Sequence, residues 1–216
     1  MSLTHLILLR HGETDWNAEL RMQGHRDIPL NATGRAQALA AAPSVAALAP
    51  DVIMSSDLQR ARDTAAQVAA VTGLPITTDV RLRETSMGQW EGLNRDQIVA
   101  GWPGYWDRWR STSAMSAPPW GESRIEVAER SAAVVDELDA SSTARRALLV
   151  AHGGLIVGLT ARLLALPESS WNALIGVDNC HWVVLHRAGE GWRLHTYNGG
   201  LGGIVMPGGE DQVAGT

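Results

Sequence analysis

The sequence predicts an α/β protein: a three-layer α/β/α sandwich with a mainly parallel central sheet and an inserted helical lid. Three observations point there. Two short apolar runs, Leu6-Ile7-Leu8-Leu9 and Ala147-Leu148-Leu149-Val150-Ala151, are too short for helices and rich enough in branched residues to be buried strands. Strand-like and helix-like stretches alternate with short links up to Thr78, the pattern of a parallel sheet covered on both faces. From Arg81 to Pro119 that alternation gives way to a tryptophan-rich segment punctuated by glycine.

Taken in order, the first run ends in Arg10-His11-Gly12, and Asp15 to Leu30 reads as a polar loop over the end of the strand. Asn31 is a helix N-cap candidate for an Ala-rich helix to about Leu48, with Pro43 a kink or break. Asp51 to Met54 is a second strand, and Ser55-Ser56-Asp57 is expected to cap a helix from Leu58 to Val71. Gly73 and Pro75 close it before a third strand, Ile76-Thr77-Thr78. The lid is expected at about 93–120, followed by an amphipathic helix from Gly121-Glu122-Ser123 to about Leu138. The second strong strand ends in His152-Gly153-Gly154, with helices expected from Leu155 to Leu164 and from Pro167 to Leu174. Strands around 181–186 and 192–196, joined by Gly189-Glu190-Gly191, suggest a hairpin. One domain is therefore expected over 1–198, with a flexible Gly-rich tail over 199–216.

The 216 residues suffice for one domain with a substantial core. A formal charge of -5, with no basic cluster longer than Arg145-Arg146, gives no support for a nucleic-acid surface. The single Cys180 rules out an internal disulfide framework and a thiolate metal cluster. The first strand begins too early to leave room for a signal peptide, and no apolar stretch reaches membrane-spanning length. A soluble cytoplasmic protein is expected, and the late hairpin with Trp182 could leave an apolar sheet edge for a homodimer.

Both strong strands terminate in His-Gly, at His11 and His152. Either histidine alone reads as a polar strand cap. Together, with Arg10 beside one, they suggest a shared pocket at the carboxyl edge of the sheet, where open α/β sheets bind ligands. Arginine brings a fixed positive fork suited to phosphate oxygens; histidine brings a nitrogen that can be nucleophile, acid or base near neutrality. Arg60, in the first turn of a helix after a strand, can point to the same edge, unless it pairs with Asp57 or Asp63. Glu84 is a candidate acid, or a salt-bridge partner of Arg81 or Arg83. Asn17 and Gln23 can donate to phosphate oxygens or sit solvated in the loop. Trp102, Trp106 and Trp109 are spaced as a buried helix face or as a sugar stack, and Trp120 is a candidate pocket wall.

The string Leu9-Arg10-His11-Gly12-Glu13-Thr14-Asp15-Trp16-Asn17 resembles the signature of the histidine phosphatase superfamily, also called phosphoglycerate mutase-like. Ser55-Ser56-Asp57-Leu58-Gln59-Arg60-Ala61 and Val150-Ala151-His152-Gly153 resemble it too. The resemblance implies that His11 becomes phosphorylated and that Arg10, Arg60 and His152 hold the phosphoryl oxygens. It implies further that Glu84 serves the leaving group and that Asn17, Gln23 and Gly153 line the substrate pocket. No cofactor and no metal are implied, the partner being a small-molecule phosphate ester.

The mutases of this superfamily carry Glu-Arg-His-Tyr-Gly after the acid and His-Gly-Asn-Ser at the second histidine. Here the strings are Glu84-Thr85-Ser86-Met87-Gly88 and His152-Gly153-Gly154-Leu155, which look like the phosphatase branch. Arg21-Met22-Gln23-Gly24 and Gly121-Glu122-Ser123-Arg124 are similar to phosphatases of a glucosylated phosphoglycerate. The expectation is a metal-independent phosphomonoesterase on a phosphorylated sugar acid, the alternatives being a broad-specificity phosphatase or a phosphoglycerate mutase.

Overall fold

The computed structural model describes residues 3–111, 114–141 and 143–201. The chain runs through β1 (His5–Arg10), α1 (Asp15–Ala18), α2 (Ala32–Ala46), β2 (Val52–Ser55), α3 (Gln59–Thr72) and β3 (Ile76–Thr78). Single 3-10 turns over Val80–Leu82 and Gly88–Trp90 lead into α4 (Arg95–Gly101) and α5 (Tyr105–Trp109). It continues through α6 (Arg124–Ser141), β4 (Arg146–Ala151), α7 (Gly153–Leu163), a 3-10 turn over Glu168–Ala173, β5 (Trp182–Ala188) and β6 (Gly191–Gly199).

The sheet order is β3-β2-β4-β1-β5-β6. The first four strands in that order run parallel, and β5 and β6 close it antiparallel. Strand alternation builds the three layers. Leu6 and Leu8 of β1 share one face with Leu149, Val183 and Leu185, packing against Val127 and Val134 of α6 and Leu155 and Leu159 of α7. Ile7 and Leu9 face the other way, with Ile53, Leu148 and Val150, onto Ala42 and Val45 of α2 and Ala61, Ala65 and Val68 of α3. Each fully buried leucine in this core stabilises the fold by about 2 kcal/mol relative to exposure.

Several boundaries depart from expectation for local reasons. The polar stretch after β1 contains α1, closed by a capping box in which Thr14 and Asn17 satisfy each other's backbone. Asn31 caps α2 as expected, but Pro43 neither breaks nor ends the helix, which continues to Ala46. Ser55-Ser56-Asp57 does not supply a side-chain cap for α3: Leu58 is the N-cap residue and makes none, and Asp57 pairs with Arg83. The Gln59 amide donates instead to Asp27 from the loop, at 2.7 Å. Helix α7 begins at Gly153 rather than Leu155, and residues 168–173 form a 3-10 turn. The expected hairpin is present, with β6 running on to Gly199, so the first residue of the expected tail is strand. Residues 202–216 of that tail lie outside the described residues.

Residues 93–120 add no strand among the described residues. Trp90, Ile98 and Trp109 are buried with Met22 and Met87, and Trp102 and Trp106 pack against them. The three tryptophans thus pack together from two elements, Trp102 from the end of α4 and Trp106 and Trp109 from α5. None of the described helices is long and apolar enough to cross a membrane.

Gly12 matters here for chain packing: a Cβ there would run into the Gly34 carbonyl, and one at Gly34 into the Glu13 backbone. The first turn of α2 therefore lies directly against the turn that follows His11. Gly34→Ala is expected to cost about 3 kcal/mol in urea unfolding, as overpacking against backbone does. A loss below about 1 kcal/mol would show that α2 can move off that turn.

Candidate active site

The parallel register of β1 and β4 sets Arg10 opposite Ala151, so His11 and His152 follow one step beyond on neighbouring strands. The His11 amide donates to the Ala151 carbonyl at 3.0 Å. The two imidazoles meet edge to face, with ring centroids 5.0 Å apart. His11 Nδ1 lies 2.6 Å from the Gly12 carbonyl oxygen. A carbonyl can only accept, so Nδ1 carries the proton and Nε2 keeps its lone pair. His152 is fully buried, and neither ring nitrogen has a hydrogen-bond partner among the described residues.

Two guanidinium groups close on this pair. Arg10 is buried and donates through Nη1 to the Val177 carbonyl at 2.6 Å. Arg60, 0% exposed, donates to the carbonyls of Arg26 at 2.7 Å and Gly24 at 3.0 Å, and its Nε has no partner among the described residues. Neither Asp57 nor Asp63 pairs with it, and Arg62 is exposed. Thr64 fixes the geometry by accepting from the Gly12 amide at 3.1 Å while donating to the Arg60 carbonyl at 2.8 Å.

Glu84 is buried and pairs with neither Arg81, which bonds Asp79 and Glu137, nor Arg83, which bonds Asp57. Its carboxyl group accepts from the amides of Thr85 at 2.7 Å and of Gly154 and Leu155 at 3.1 Å each. It therefore sits on the N-terminus of α7, where free N–H groups and the helix dipole favour an acidic group. Gly154 makes this docking possible, since a Cβ there would stand 2.7 Å from Glu84 Oε1. Gly153 opens the same helix directly after His152.

The loop residues divide. Gln23 is buried with its Oε1 unpartnered among the described residues, and Asn17 turns its Oδ1 to the Thr14 amide and hydroxyl. Glu13 and Glu91 are structural: Glu13 accepts from Asn31, and Glu91 from the His25 amide with Arg26 beside it. Trp120 stands 87% exposed at φ 60°, on a turn that packs against Ser86 and Gly88.

Sequence reasoning missed the connector before β5. The Asn179 amide group donates to the His11 carbonyl at 3.0 Å, and the His181 carbonyl accepts from the Arg10 amide at 3.0 Å. Cys180, held at φ 57°, gives its amide to the Arg10 and His11 carbonyls at 3.2 Å. A left-handed non-glycine residue is a costly conformation that persists only where the surroundings fix it. The polar run Asp178-Asn179-Cys180 just ahead of an apolar strand was the available signal.

Burial, with the charges of Arg60 and Arg10, holds His11 well below the usual imidazole range, against the opposing bond to Gly12. Burial and the same arginines, with His11 and Arg130, do likewise to His152. Burial brings Arg60 down to about 10, and it stays charged at neutrality. Two guanidinium groups thus stand with neutral imidazoles and the single carboxyl group of Glu84, an excess of positive charge suited to a phosphate dianion.

Residues 6–199 match the family described as the histidine phosphatase superfamily (branch 1). The chain belongs to that superfamily. It is 44% identical over 216 residues to a glucosyl-3-phosphoglycerate phosphatase of Mycolicibacterium vanbaalenii, covering 92% of this chain and 96% of that one. Identity to the glucosyl-3-phosphoglycerate phosphatase of Mycobacterium tuberculosis is 45% over 214 residues, with the same coverage of 92% and 96%. A mycobacterial glucosyl-3-phosphoglycerate phosphatase solved with VO3 superposes at a TM-score of 0.87 with 47% identity, over 91% of this chain and 99% of that one.

The depressed histidines carry a stability signature. Below pH ~6.5 the unfolded chain takes up protons at both positions that the native protein does not, so stability falls with pH at up to ~1.4 kcal/mol per unit for each. Urea unfolding of His152→Gln should show a shallower loss between pH 6.5 and 5 than wild type. Identical slopes would mean that His152 titrates alike in both states.

Proposed function

We propose that the chain is a phosphomonoesterase that transfers the phosphoryl group of glucosyl-3-phosphoglycerate to His11 and then to water. The observation that carries this is the neutral His11, its Nε2 lone pair free, standing against buried Arg10 and Arg60. In the first half, Arg10, Arg60 and His152 hold the phosphoryl oxygens while His11 Nε2 attacks phosphorus in line with the ester oxygen. The P–O ester bond breaks, and Glu84 gives a proton to the departing alkoxide. In the second half Glu84 accepts a proton from water as its oxygen attacks phosphorus, and the P–N bond breaks to restore His11. Asn17, Gln23 and the Gly153 backbone complete the substrate pocket.

The guanidinium groups supply the positive charge in flight, so the reading assigns no metal and no cofactor. The names of the relatives at 44% and 45% identity support the substrate, and a relative's complex with VO3, itself an oxyanion, supports the phosphoryl site. The reading includes a cytoplasmic location and a homodimer through the open edge of β6. A monomeric mass by light scattering would remove the dimer.

The test is phosphate release, with chelator present throughout, from glucosyl-3-phosphoglycerate, 3-phosphoglycerate, several sugar phosphates and an aryl phosphate. A clear preference for the glucosylated ester, undiminished by chelator, is expected. Equal slow rates would make the enzyme a broad phosphatase, and isomerised product dependent on a bisphosphate primer would make it a mutase. Arg60→Ala should lower kcat/KM by about 100-fold or more, as loss of one preorganised donor does. A change below threefold would remove Arg60 from the phosphoryl site.

A further inference from the structure

We propose that Arg130 is a positioning residue for Glu84, acting by holding the backbone from which the carboxyl group is presented; this rests on Glu84 serving the leaving group. Arg130 lies in the second turn of α6 and, in its hydrogen bonds among the described residues, meets the site only through the Glu84 carbonyl. Its Nη1 donates to the carbonyls of Arg81 at 2.6 Å and Arg83 at 2.8 Å, and its Nη2 to the carbonyl of Glu84 at 2.8 Å. The rest of the fork grips Glu122, from Nε at 2.8 Å and Nη2 at 2.9 Å. Glu122 in turn accepts from the Ser86 amide at 2.8 Å. One guanidinium and its partner carboxylate thus secure the backbone on both sides of Glu84.

The segment needs such a brace. Arg83 and Glu84 lie between two 3-10 turns, and among the described residues no backbone amide bonds their carbonyls. Arg130 supplies both with a partner from a rigid helix. The far end of the Glu84 side chain is fixed by the α7 amides, and the near end by Arg130. His25 adds a second bond to the Glu84 carbonyl, from Nε2 at 2.8 Å, and lies 3.8 Å from Glu122. Its loop also carries the Gly24 and Arg26 carbonyls that orient Arg60. The acid and the phosphate clamp are therefore tied to one another through His25. Despite its partial burial, Glu122 is held below the ordinary glutamate range by Arg130, the Ser86 amide and His25, which keeps the brace charged.

The consequence is a dependence on the leaving group. An alkyl alkoxide needs the proton from Glu84, whereas an aryl oxide leaves without it. In single-turnover measurements of phosphoenzyme formation, Arg130→Met should slow cleavage of glucosyl-3-phosphoglycerate by about 10- to 100-fold. Cleavage of para-nitrophenyl phosphate should stay within about threefold of wild type, and KM for both should change little. Arg130→Lys keeps the charge but not the planar fork, so it should show the same leaving-group dependence in milder form. It also carries the test if the Met variant does not fold.

Glu84→Gln is the reference. If it slows both esters alike, Glu84 does not serve the leaving group, and the inference falls with that reading. If Glu84→Gln shows the dependence but the Arg130 variants slow both esters equally, or match wild type, the positioning role is overturned on its own. Full recovery in Arg130→Lys would also overturn it, because charge rather than geometry would then be the contribution.

Discussion

The register of β1 on β4 is the constraint on which the site depends. Arg10 opposite Ala151 makes His11 and His152 neighbours, and a slip of one residue would send every side chain of one strand to the opposite face. The core enforces the register: Leu6 and Leu8 must meet α6 and α7 while Ile7 and Leu9 meet α2 and α3. Both faces are buried, so a slipped strand would set its side chains against the wrong helices and lose the fitted packing of both layers. The hydrophobic pattern that folds the sheet therefore also sets the separation of two imidazoles.

Around this pair the protein keeps two arginines in a buried place, which is costly unless their donors are met. Backbone carbonyls meet several of them: Val177 for Arg10, Gly24 and Arg26 for Arg60. Carbonyls orient a guanidinium without neutralising it, so the positive potential survives to act on an anion. Burial, with that potential, holds His11 in its neutral form. The nitrogens of His152 and Arg60 that lack a partner among the described residues belong to the same arrangement, since a buried donor left unmet costs about 1–3 kcal/mol. Phosphoryl oxygens are acceptors of the kind these groups require.

The parts readable in the sequence are those written in one contiguous string. Leu6 to Gly12 contains its own strand, its stop and its chemistry, and Ala147 to Gly153 repeats the device. Arg60 could reach the same edge from the first turn of a helix after a strand, and the resemblance of Ser55-Ser56-Asp57-Leu58-Gln59-Arg60-Ala61 to the superfamily's string selected it. What was hidden depends on side chains meeting distant backbone. Glu84 read as an acid or as a partner for the arginines beside it, and nothing local showed that it docks on an amide seventy positions away in the chain, where Gly154 leaves room. Asp27 caps α3 from across a loop, a role that local reading gave to Ser55-Ser56-Asp57. Arg130 did leave a trace: it follows Val127 by three and precedes Val134 by four, a charge on the apolar side of α6. A charge in that position requires a buried partner, but nothing local names the carbonyls of Arg81, Arg83 and Glu84.

The most direct test of the account is whether His11 carries the phosphoryl group. Enzyme mixed with a phosphate ester and quenched within milliseconds should gain the mass of one phosphoryl group. The adduct should be labile to acid, stable to base, and located on the peptide containing His11. A label that survives acid, or that maps to another residue, would contradict nucleophilic attack by His11 and with it the chemistry assigned to the edge of β1 and β4.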